Sequence, residues 1–398
     1  MNELYNPFTP GAGTPPPELA GRKDIIDQAT ILLQRVQAGR ASRSLLLTGL
    51  RGVGKTVLLN EINRIAKGLD YQRILTEAHE NKSLPALLVP ELRNLLYSLD
   101  RMEGAKHVIR RGMAVLAGFV GSVKLTYGDI PVGIDIEPEK GTADSGDIEV
   151  DIPHLFTVLG EAAASRKTTV VLLIDELQYL KEKELSALIM GMHKIQQERL
   201  PIVLIGAGLP ILPRLAGESK SYAERLFDFP YVGSLNSEDA VIAIRGPIVN
   251  EGENITDEAV EEIVEITGGY PYFLQAWGYQ VWNHAAASPI TVDAVRAATE
   301  ATTKRLDENF FKVRFDRLTK SEKDFLRAMA EMGAGPYNMS DVADVMGLKV
   351  KSLSPRRSQL IHKGMVYSPQ HSEIDFTVPL FDEFMRRAMP ELKPKKQN

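Results

Sequence analysis

Cysteine is missing from the 398 residues of this chain, which excludes disulfide bonds, thiolate catalysis and zinc sites built from cysteine. The seven histidines show no HxxxH or HxH arrangement, so no histidine metal site is predicted either. No apolar run approaches the ~20 residues that a membrane span requires, and the N-terminus lacks a basic region followed by an apolar core. We therefore expect a cytoplasmic protein without membrane contact, whose only metal arrives together with a ligand.

Positive charge exceeds negative charge only near the C-terminus. The chain has a formal net charge of -5, which argues against a uniformly basic surface for nucleic acid. From Asp316 onward, however, 14 Lys and Arg residues face 11 Asp and Glu residues, which leaves -8 for everything before. Contact with nucleic acid is therefore predicted for the C-terminal part, and the length indicates about two or three domains.

Apolar runs alternate with helical patterns over the first part of the chain. An opening arm rich in Pro and Gly precedes a helix that begins near Glu18 or Arg22. The apolar runs are typical of strands buried on both faces of a parallel sheet, and strands alternating with helices predict an α/β fold. The predicted strands are Ser44–Gly49, Thr168–Glu176, Leu200–Gly208 and Asp228–Leu235.

The segment Val123–Ile152 reads as two strands of alternating polarity around a polar loop, which predicts an inserted β-hairpin. Such a long insertion is either a surface elaboration without chemistry of its own or a functional loop. We predict the first.

After residue 236 the pattern becomes helical, with helices predicted at Ser237–Ile248, Asp257–Thr267, Pro271–His284 and Thr291–Phe315. Three short helices then precede two strand-like stretches, the order typical of a winged helix. Its helices are predicted at Ser321–Glu331, Ser340–Met346 and Pro355–Lys363. The predicted domains are an α/β core (1–236), a helical lid (237–315) and a winged helix (316–398).

A glycine-rich segment lies between the first predicted strand and the next helix. Its sequence, GLRGVGKT, fits the P-loop pattern G-x-x-x-x-G-K-[ST], in which backbone N–H groups and the helix N-terminus converge on phosphate oxygens. Lys55 is predicted to bridge the β- and γ-phosphates, and Thr56 to give its hydroxyl to Mg²⁺. The predicted phosphate-binding residues are Gly49, Gly52, Val53, Gly54, Lys55, Thr56 and Val57.

Two carboxylates end the strand predicted at Thr168–Glu176. Asp175 is predicted to hold Mg²⁺ opposite the Thr56 hydroxyl. Glu176 is predicted to accept a proton from the water that attacks the γ-phosphate. The alternative for Glu176 is an exposed acidic residue that opens a helix, where the helix dipole favours it.

Four features of the sequence occur together: the glycine loop, the IDE sequence ending at Glu176, the ELAGR box at Glu18–Arg22 and the helical lid. In these features the chain resembles an AAA+ ATPase, specifically the origin-recognition-like and STAND-like branch often called archaeal-type ATPases. The resemblance covers essentially the whole chain. It implies a P-loop AAA+ parallel-sheet core with a helical lid and a C-terminal winged-helix domain, and ATP with Mg²⁺ as the ligands.

The resemblance also implies further site residues. The segment before the first helix would line the adenine pocket, although Phe8 could equally be part of a hydrophobic arm that packs on the core. Arg225, in the AERLFDF sequence, would reach the γ-phosphate of a neighbouring subunit as an arginine finger, with Arg214 as a weaker candidate. The alternative for Arg225 is a surface ion pair with Glu224 or Asp228. The implied adenine-pocket residues are Pro7, Phe8, Leu19, Gly21 and Arg22.

Two departures from the family pattern suggest slow hydrolysis. Gly206–Pro210, at the end of the strand predicted at Leu200–Gly208, offers no polar side chain to orient a water. The lid sequence Gly268–Gln275 lacks the arginine that many AAA+ proteins place on the nucleotide. The lid sequence looks more like the GxP element of STAND-like proteins, in which Pro271 would lie against the base or phosphates.

Basic residues without intervening acidic ones lie on and just before the third helix of the predicted winged helix, a position that suits contacts to DNA phosphates and base edges. The alternative is a winged helix that binds protein or packs on its own ATPase core. The predicted DNA-binding residues are Lys349, Lys351, Arg356 and Arg357, with Lys363 beside them.

We therefore predict an ATP-dependent DNA-binding ATPase that forms a homo-oligomer with nucleotide and recruits or regulates an unidentified protein partner. The alternative is a STAND-like signalling switch that acts through protein association without DNA, although no repeat of 20 to 50 residues typical of such switches is visible. A small-molecule phosphotransferase explains the sequence least well, because it accounts for neither the lid nor the basic C-terminal helix.

Overall fold

A computed structural model describes residues 1–11, 13–102, 106–127, 136–370 and 372–392. Its internal contacts divide the chain into two compact units. The first comprises Met1–Gly21, Leu50–Gly54 and Gly233–Asn398, and the second comprises Arg22–Gly49 and Lys55–Val232. Among the helices of the described residues, none has both the length and the apolar character that a membrane crossing needs.

The second unit is built on a five-stranded sheet in the order β2-β3-β4-β1-β5, with all neighbouring strands parallel. Every residue of β1, β3 and β4 is buried, because these continuous apolar runs are covered on both faces. The strands are β1 (Ser44–Thr48), β2 (Gln72–Glu77), β3 (Val170–Asp175), β4 (Ile202–Gly208) and β5 (Phe227–Asp228). The parallel α/β fold predicted from the sequence is confirmed, although β5 is much shorter than predicted and β2 was missed.

Eight helices of the described residues complete the second unit. Apolar residues of six of these helices, α3 to α8, form one large buried cluster with side chains of the strands. The helices are α1 (Lys23–Gln37), α2 (Lys55–Gly68), α3 (Leu84–Asp100), α4 (Lys106–Tyr127), α5 (Ile148–Ser165), α6 (Glu182–Glu198), α7 (Leu212–Ser219) and α8 (Ala223–Leu226).

The inserted β-hairpin predicted at Val123–Ile152 is wrong. Val123 belongs to α4, and Ile148 begins α5, where the side chain of Asp147 accepts a hydrogen bond from the Glu149 N–H and caps the helix. Residues 128–135, which include part of the predicted first strand, lie outside the described residues. Ile148 and Ile152 are fully buried while Val150 is 46% exposed. That spacing is helical, since a strand would have turned all three side chains to one face.

The first unit contains the predicted lid helices. These are α9 (Ser237–Asn250), α10 (Asp257–Thr267), α11 (Pro271–His284), α12 (Val292–Leu306) and α13 (Lys312–Phe315), with a turn of π-helix at Asp307–Phe311 between the last two. The Thr256 hydroxyl caps α10, and Gly268, in the left-handed conformation, ends it.

The C-terminal part of the first unit combines four helices with a three-stranded antiparallel sheet in the order β6-β8-β7. The predicted start of its third helix at Pro355 is wrong: that helix begins at Val350 and holds Pro355 in its interior. The elements are α14 (Lys320–Glu331), β6 (Tyr337–Asn338), α15 (Met339–Met346), α16 (Val350–His362), β7 (Val366–Tyr367), β8 (Glu373–Phe376) and α17 (Phe381–Ala388). The three predicted domain boundaries stay predictions.

Candidate functional site

Lys55 and Thr56 begin α2 directly after the glycine-rich loop, and the parallel sheet brings the end of β3 to them. The Thr56 hydroxyl donates to Oδ2 of Asp175 at 2.5 Å. The Lys55 ammonium is buried and donates to the Gly49 carbonyl at 2.9 Å. Residues 119 positions apart in the sequence therefore form one polar cluster at the carboxyl edge of the sheet.

Burial dominates the electrostatics of Asp175. Only 6% of the residue is exposed, and this burial raises the pKa of its carboxyl group, with a further rise from the nearby charge of Glu176. The hydrogen bond from Thr56 and the charge of Lys55 lower that pKa and offset part of the rise. A buried carboxylate beside a hydroxyl is a donor set that fits Mg²⁺, which binds through one or two protein oxygens and the phosphates of its substrate.

Glu176 follows β3 in a left-handed backbone conformation, with φ of 55°, and precedes a single turn of 3-10 helix at Leu177–Tyr179. Its N–H donates to Oδ1 of Asp175 at 2.8 Å. Its carboxylate is half-buried and accepts a hydrogen bond from the side-chain amide of Gln178. A non-glycine residue in this conformation is uncommon and is often found at functional sites.

Gln178 is a site residue that the sequence analysis missed. Its amide nitrogen donates to Glu176, and its amide oxygen accepts from the Leu209 N–H at 3.0 Å, so it links β3 to the end of β4. Gly208 makes room for it, because a Cβ there would lie 2.8 Å from the Gln178 oxygen. The absence of a polar side chain in Gly206–Pro210 was the available signal, since a neighbouring segment could supply the missing group.

Within the first unit, the loop residues Arg51 and Gly52 contact the start of α11. The Tyr270 hydroxyl donates to the Arg51 carbonyl, and the Tyr272 N–H donates to the Gly52 carbonyl at 3.2 Å. Gly52 has φ of 85°, and a Cβ there would lie 3.2 Å from both tyrosines. Pro271 stands between these tyrosines at the first position of α11, and its contact with nucleotide stays a prediction.

The C-terminal part of the first unit also reaches this loop. A Cβ on Gly364 would lie 2.5 Å from Nη2 of Arg51, so the guanidinium group packs on the bare backbone between α16 and β7. Burial, followed by the charge of Arg51, lowers the pKa of Arg314 to about 10. Arg314 lies over the ring of Phe310, 4.0 Å from its centroid, and Phe310 stacks on Tyr272.

The N-terminal arm packs on α11 of the same unit. Phe8 is 1% exposed, and its ring lies against Gly278, where a Cβ would come within 2.6 Å. This is packing of the kind that the hydrophobic-arm alternative described, and contact of Phe8 with adenine stays a prediction. Of the other candidates, Pro7 and Leu19 are half-buried, Gly21 is exposed, and Arg22 is buried where it precedes α1.

Arg225 is exposed, and within the described residues it forms no ion pair. The ion pair with Asp228 that we weighed as an alternative is not formed, because Asp228 pairs with Arg43 at 3.2 Å. Arg214 pairs with Glu218 at 3.8 Å. The role of Arg225 as an arginine finger stays a prediction.

The basic residues of the C-terminal helix divide into two groups. Arg357 donates to the Ser368 hydroxyl and the Glu373 carbonyl, and Lys363 pairs with the buried Glu322 at 2.8 Å, so both hold the domain together. Arg356 is half-buried and lines a small cavity between α14 and the end of α15. Lys349 and Lys351 are exposed.

Comparison with known proteins agrees with this geometry. Residues 18–205 match the family model of the AAA ATPase domain, and residues 308–385 match that of a domain of unknown function. No curated protein matches the sequence. The Walker-type ATPase PABY2304 of Pyrococcus abyssi is similar in structure, with a TM-score of 0.58, 16% identity, and coverage of 94% of this chain and 97% of that chain.

Two further solved structures are more distant. The RuvB Holliday junction branch migration motor of Thermotoga maritima has a TM-score of 0.44 and 17% identity, over 89% of this chain and 92% of that chain. The Orc1 protein of Aeropyrum pernix in complex with DNA has a TM-score of 0.43 and 15% identity, over 94% of each chain. The chain has a P-loop AAA+ fold.

Proposed function

We propose that the chain is an ATP-dependent DNA-binding ATPase that oligomerises with nucleotide and recruits or regulates a partner protein. The observation that carries the ATPase part is the cluster of Thr56, Asp175, Glu176 and Gln178. It combines a hydroxyl and a buried carboxylate suited to Mg²⁺ with a second carboxylate held by an amide.

Each residue of the cluster has a chemical role in hydrolysis. Lys55 and the backbone N–H groups of the loop bind the phosphates, and Thr56 and Asp175 would hold Mg²⁺. Mg²⁺ neutralises charge on the phosphate oxygens when it is bound. Glu176 accepts a proton from the attacking water, and Gln178 fixes the direction in which that carboxylate points. Gln178 therefore supplies the polar orienting group that Gly206–Pro210 lacks.

The contacts of Arg51 support a route from the nucleotide to the C-terminal domain. A displacement of the loop backbone would shift the carbonyl groups that accept hydrogen bonds from Tyr270 and Tyr272. A displacement of the Arg51 side chain would change its contact with the backbone at Gly364. Tyr272 stacks on Phe310, which contacts Phe311, and Phe311 stacks on Phe384 of α17. Packed rings transmit small displacements because cores of this density have no space to absorb them.

Oligomerisation is proposed through Arg225, whose exposed guanidinium group would neutralise charge on the γ-phosphate of an adjoining subunit. Arg225→Ala should bind ATP normally and hydrolyse it poorly. Mixing it with Lys55→Ala should restore part of the activity, because a hybrid interface combines an intact finger with an intact loop. If no activity returns and the unmodified protein stays monomeric with ATP, Arg225 has no catalytic role.

DNA binding is proposed through the C-terminal domain as a winged helix. Its exposed cations are Lys349, directly before α16, and Lys351 in the first turn of α16. A specific observation favours the signalling alternative: Arg357 and Lys363 are engaged inside the domain, which leaves fewer cations for phosphate contacts. In that case the C-terminal domain would bind protein instead.

A duplex gel shift, with and without ATP and with mass measured by light scattering, tests the proposal. The unmodified protein should form an ATP-dependent oligomer that shifts DNA. Lys55→Ala should lose ATP binding and both effects, whereas Glu176→Gln should keep ATP binding but turn over at least ~100-fold more slowly. Unchanged turnover in Glu176→Gln would contradict the mechanism. No shift at ~50 mM salt in either state would favour the signalling alternative.

A further inference from the structure

A hollow of about 760 Å³ opens at the amino ends of β2, β3 and β4, within the second unit. The polar cluster around Asp175 lies at the carboxyl end of β3, so the hollow is at the opposite edge of the sheet. Its volume falls in the range of pockets that bind nucleotide-sized ligands. Nothing in the mechanism above uses it. We call it the amino-edge hollow.

The lining of the amino-edge hollow is cationic in a chain that is acidic overall. Lys67, Arg73, Lys167 and Arg199 line it, and Asp70 is the only carboxylate among the lining residues. All four cations are exposed, and within the described part of the chain none of them forms an ion pair. Arg73 donates only to the amide oxygen of Asn63, at 3.2 Å.

Three lining residues are held in the left-handed conformation by identical helix ends. Asp70, Lys167 and Arg199 have φ of 57°, 51° and 53°. In each case the N–H of the following residue donates to a carbonyl in the last turn of the helix, from Tyr71 to Ala66, Thr168 to Ala163 and Leu200 to Ile195. Glycine is the usual residue at this position because it adopts the conformation without cost.

A lysine and an arginine occupy two of these positions, where the left-handed conformation costs them backbone free energy that glycine would avoid. Both side chains belong to the same hollow, although Lys167 and Arg199 follow different helices. Positively charged side chains at the C-terminal ends of helices also interact favourably with the helix dipole, which explains part of the pattern. The dipole acts within the last turn, however, and does not account for a cavity that four cations share.

The charge balance still favours an anion. Asp70 and the C-terminal ends of five helices (α1, α2, α3, α5 and α6), at about half an elementary negative charge each, offset most but not all of the four positive charges. Arg166, next to Lys167, is buried, and its three guanidinium nitrogens have no hydrogen-bond partner in the described residues. Its charge adds to the positive potential of this edge.

Part of the lining of the hollow is apolar, and we call this part its floor. Val36, Tyr71 and Met102 line it, and the Tyr71 hydroxyl donates to the Leu33 carbonyl at 2.6 Å. Hydrogen-bonding groups stand beside this floor, since Ser98 donates to the amide oxygen of Gln72 at 3.0 Å. An apolar floor with a few polar groups and a cationic rim is suited to a compact molecule that carries several negative charges.

We propose that the amino-edge hollow binds a small molecule with two or more phosphate groups, separately from the nucleotide at the P-loop. The cations of Lys167 and Arg199 contact its phosphates, and Lys67 and Arg73 complete the rim. The apolar floor accommodates the organic part where the ligand has one.

Calorimetric titration with inorganic tripolyphosphate tests this, using full-length Lys55→Ala protein to weaken binding at the P-loop. We expect saturable binding at about 0.1 M salt, weakened at least ~10-fold by Lys167→Gln with Arg199→Gln. Glutamine removes the charge, keeps an unbranched polar side chain and has a comparable backbone cost. The matched control is Lys82→Gln with Lys140→Gln, two exposed lysines of the same unit outside the hollow, which should bind as before.

GTP in the same assay distinguishes the two sources of the phosphate group. Tighter binding than tripolyphosphate assigns a nucleotide whose base lies on the floor, and equal or weaker binding assigns a free polyphosphate. Absence of saturable binding, or equal weakening in both double variants, overturns the proposal. A third outcome also overturns it: single-stranded oligodeoxythymidylate binds in a way that depends on Lys167 and Arg199, while tripolyphosphate does not bind. The hollow would then recognise a nucleic-acid backbone.

Discussion

Gln178 donates a hydrogen bond to the carboxylate of Glu176, while its own amide oxygen accepts from the Leu209 backbone at 3.0 Å. The side chain thereby fixes the carboxylate against the end of β4. A general base works only when it points at the proton that it removes, so this contact matters for rate more than for binding.

Gln178→Ala should therefore lower kcat about tenfold and leave KM for ATP nearly unchanged, because the amide positions Glu176 and does not bind phosphate. Steady-state ATPase kinetics check this. Gln178→Asn, with a shorter amide, should recover little, whereas the exposed Gln197→Ala on α6 should behave as the unmodified protein. A rise in KM with unchanged kcat would assign Gln178 to ATP binding instead.

The buried carboxylate of Asp175 lowers the free energy of unfolding of the nucleotide-free protein at neutral pH. Burial raises the pKa of its carboxyl group in the folded state above the unfolded value of 3.8, so the protonated form favours folding. Stability from this group is present below pH 3.8 and is lost as pH rises through the folded-state pKa. Asp175→Asn, which carries no charge, should therefore raise the midpoint of denaturation at pH 7 without nucleotide.

The same substitution should abolish Mg²⁺-dependent hydrolysis, because the neutral amide is a poor ligand for a hard cation. The gain in stability should be smaller at pH 4 than at pH 7, because more of Asp175 in the unmodified protein is protonated as the pH falls through its raised folded-state pKa. Urea titrations at the two pH values measure both effects. A loss of stability at pH 7 would mean that the bond from Thr56 outweighs the cost of burial.

Gly364 and Gly347 form a matched pair for testing the contact between the P-loop and the C-terminal domain. Both are in the left-handed conformation, with φ of 63° and 62°, so an alanine at either should cost about 1 kcal/mol of backbone strain. Only Gly364 faces another group, since a Cβ there meets Arg51 and nothing lies within 4 Å of one on Gly347.

Gly364→Ala should therefore change ATP affinity or kcat several-fold, while Gly347→Ala should alter stability alone. Nucleotide titration and steady-state kinetics on both variants compare the two effects. If the two variants have the same ATP affinity and the same kcat, the contact between Arg51 and Gly364 does not couple the P-loop to the C-terminal domain.

For DNA binding, the structure separates two kinds of basic residue on α16. Lys349→Gln with Lys351→Gln should weaken duplex binding and reduce the log-log slope of affinity against salt by about 2, near 0.9 for each lost phosphate contact. Lys304→Gln with Lys312→Gln, exposed lysines of the lid, serves as the control. Arg357→Ala should act mainly by lowering the unfolding midpoint, because its bonds to Ser368 and Glu373 hold β7 and β8. An unchanged salt slope in the first variant would exclude these two lysines as the contact.

The sequence by itself determined those features that depend on neighbours along the chain. The P-loop follows from eight consecutive residues, and Asp175 and Glu176 follow from the strand that they end. Helix α10 has the predicted bounds because Thr256 caps its start and Gly268 accepts the left-handed conformation at its end. Local periodicity misled at Ile148, Val150 and Ile152, which fitted two patterns, and burial of the first and third alone decides for the helix.

Tertiary structure decided which distant groups meet. The partners of Gln178 come from two strands, Arg51 meets Gly364 across more than 300 positions, and Arg357 turns into its own domain although its neighbours in sequence suggested a DNA surface. The amino-edge hollow likewise exists only because five helices end at one edge of the sheet. Such contacts depend on the register and crossing of elements far apart in the chain, and side-chain burial, which sets their strength, is fixed only when those elements pack.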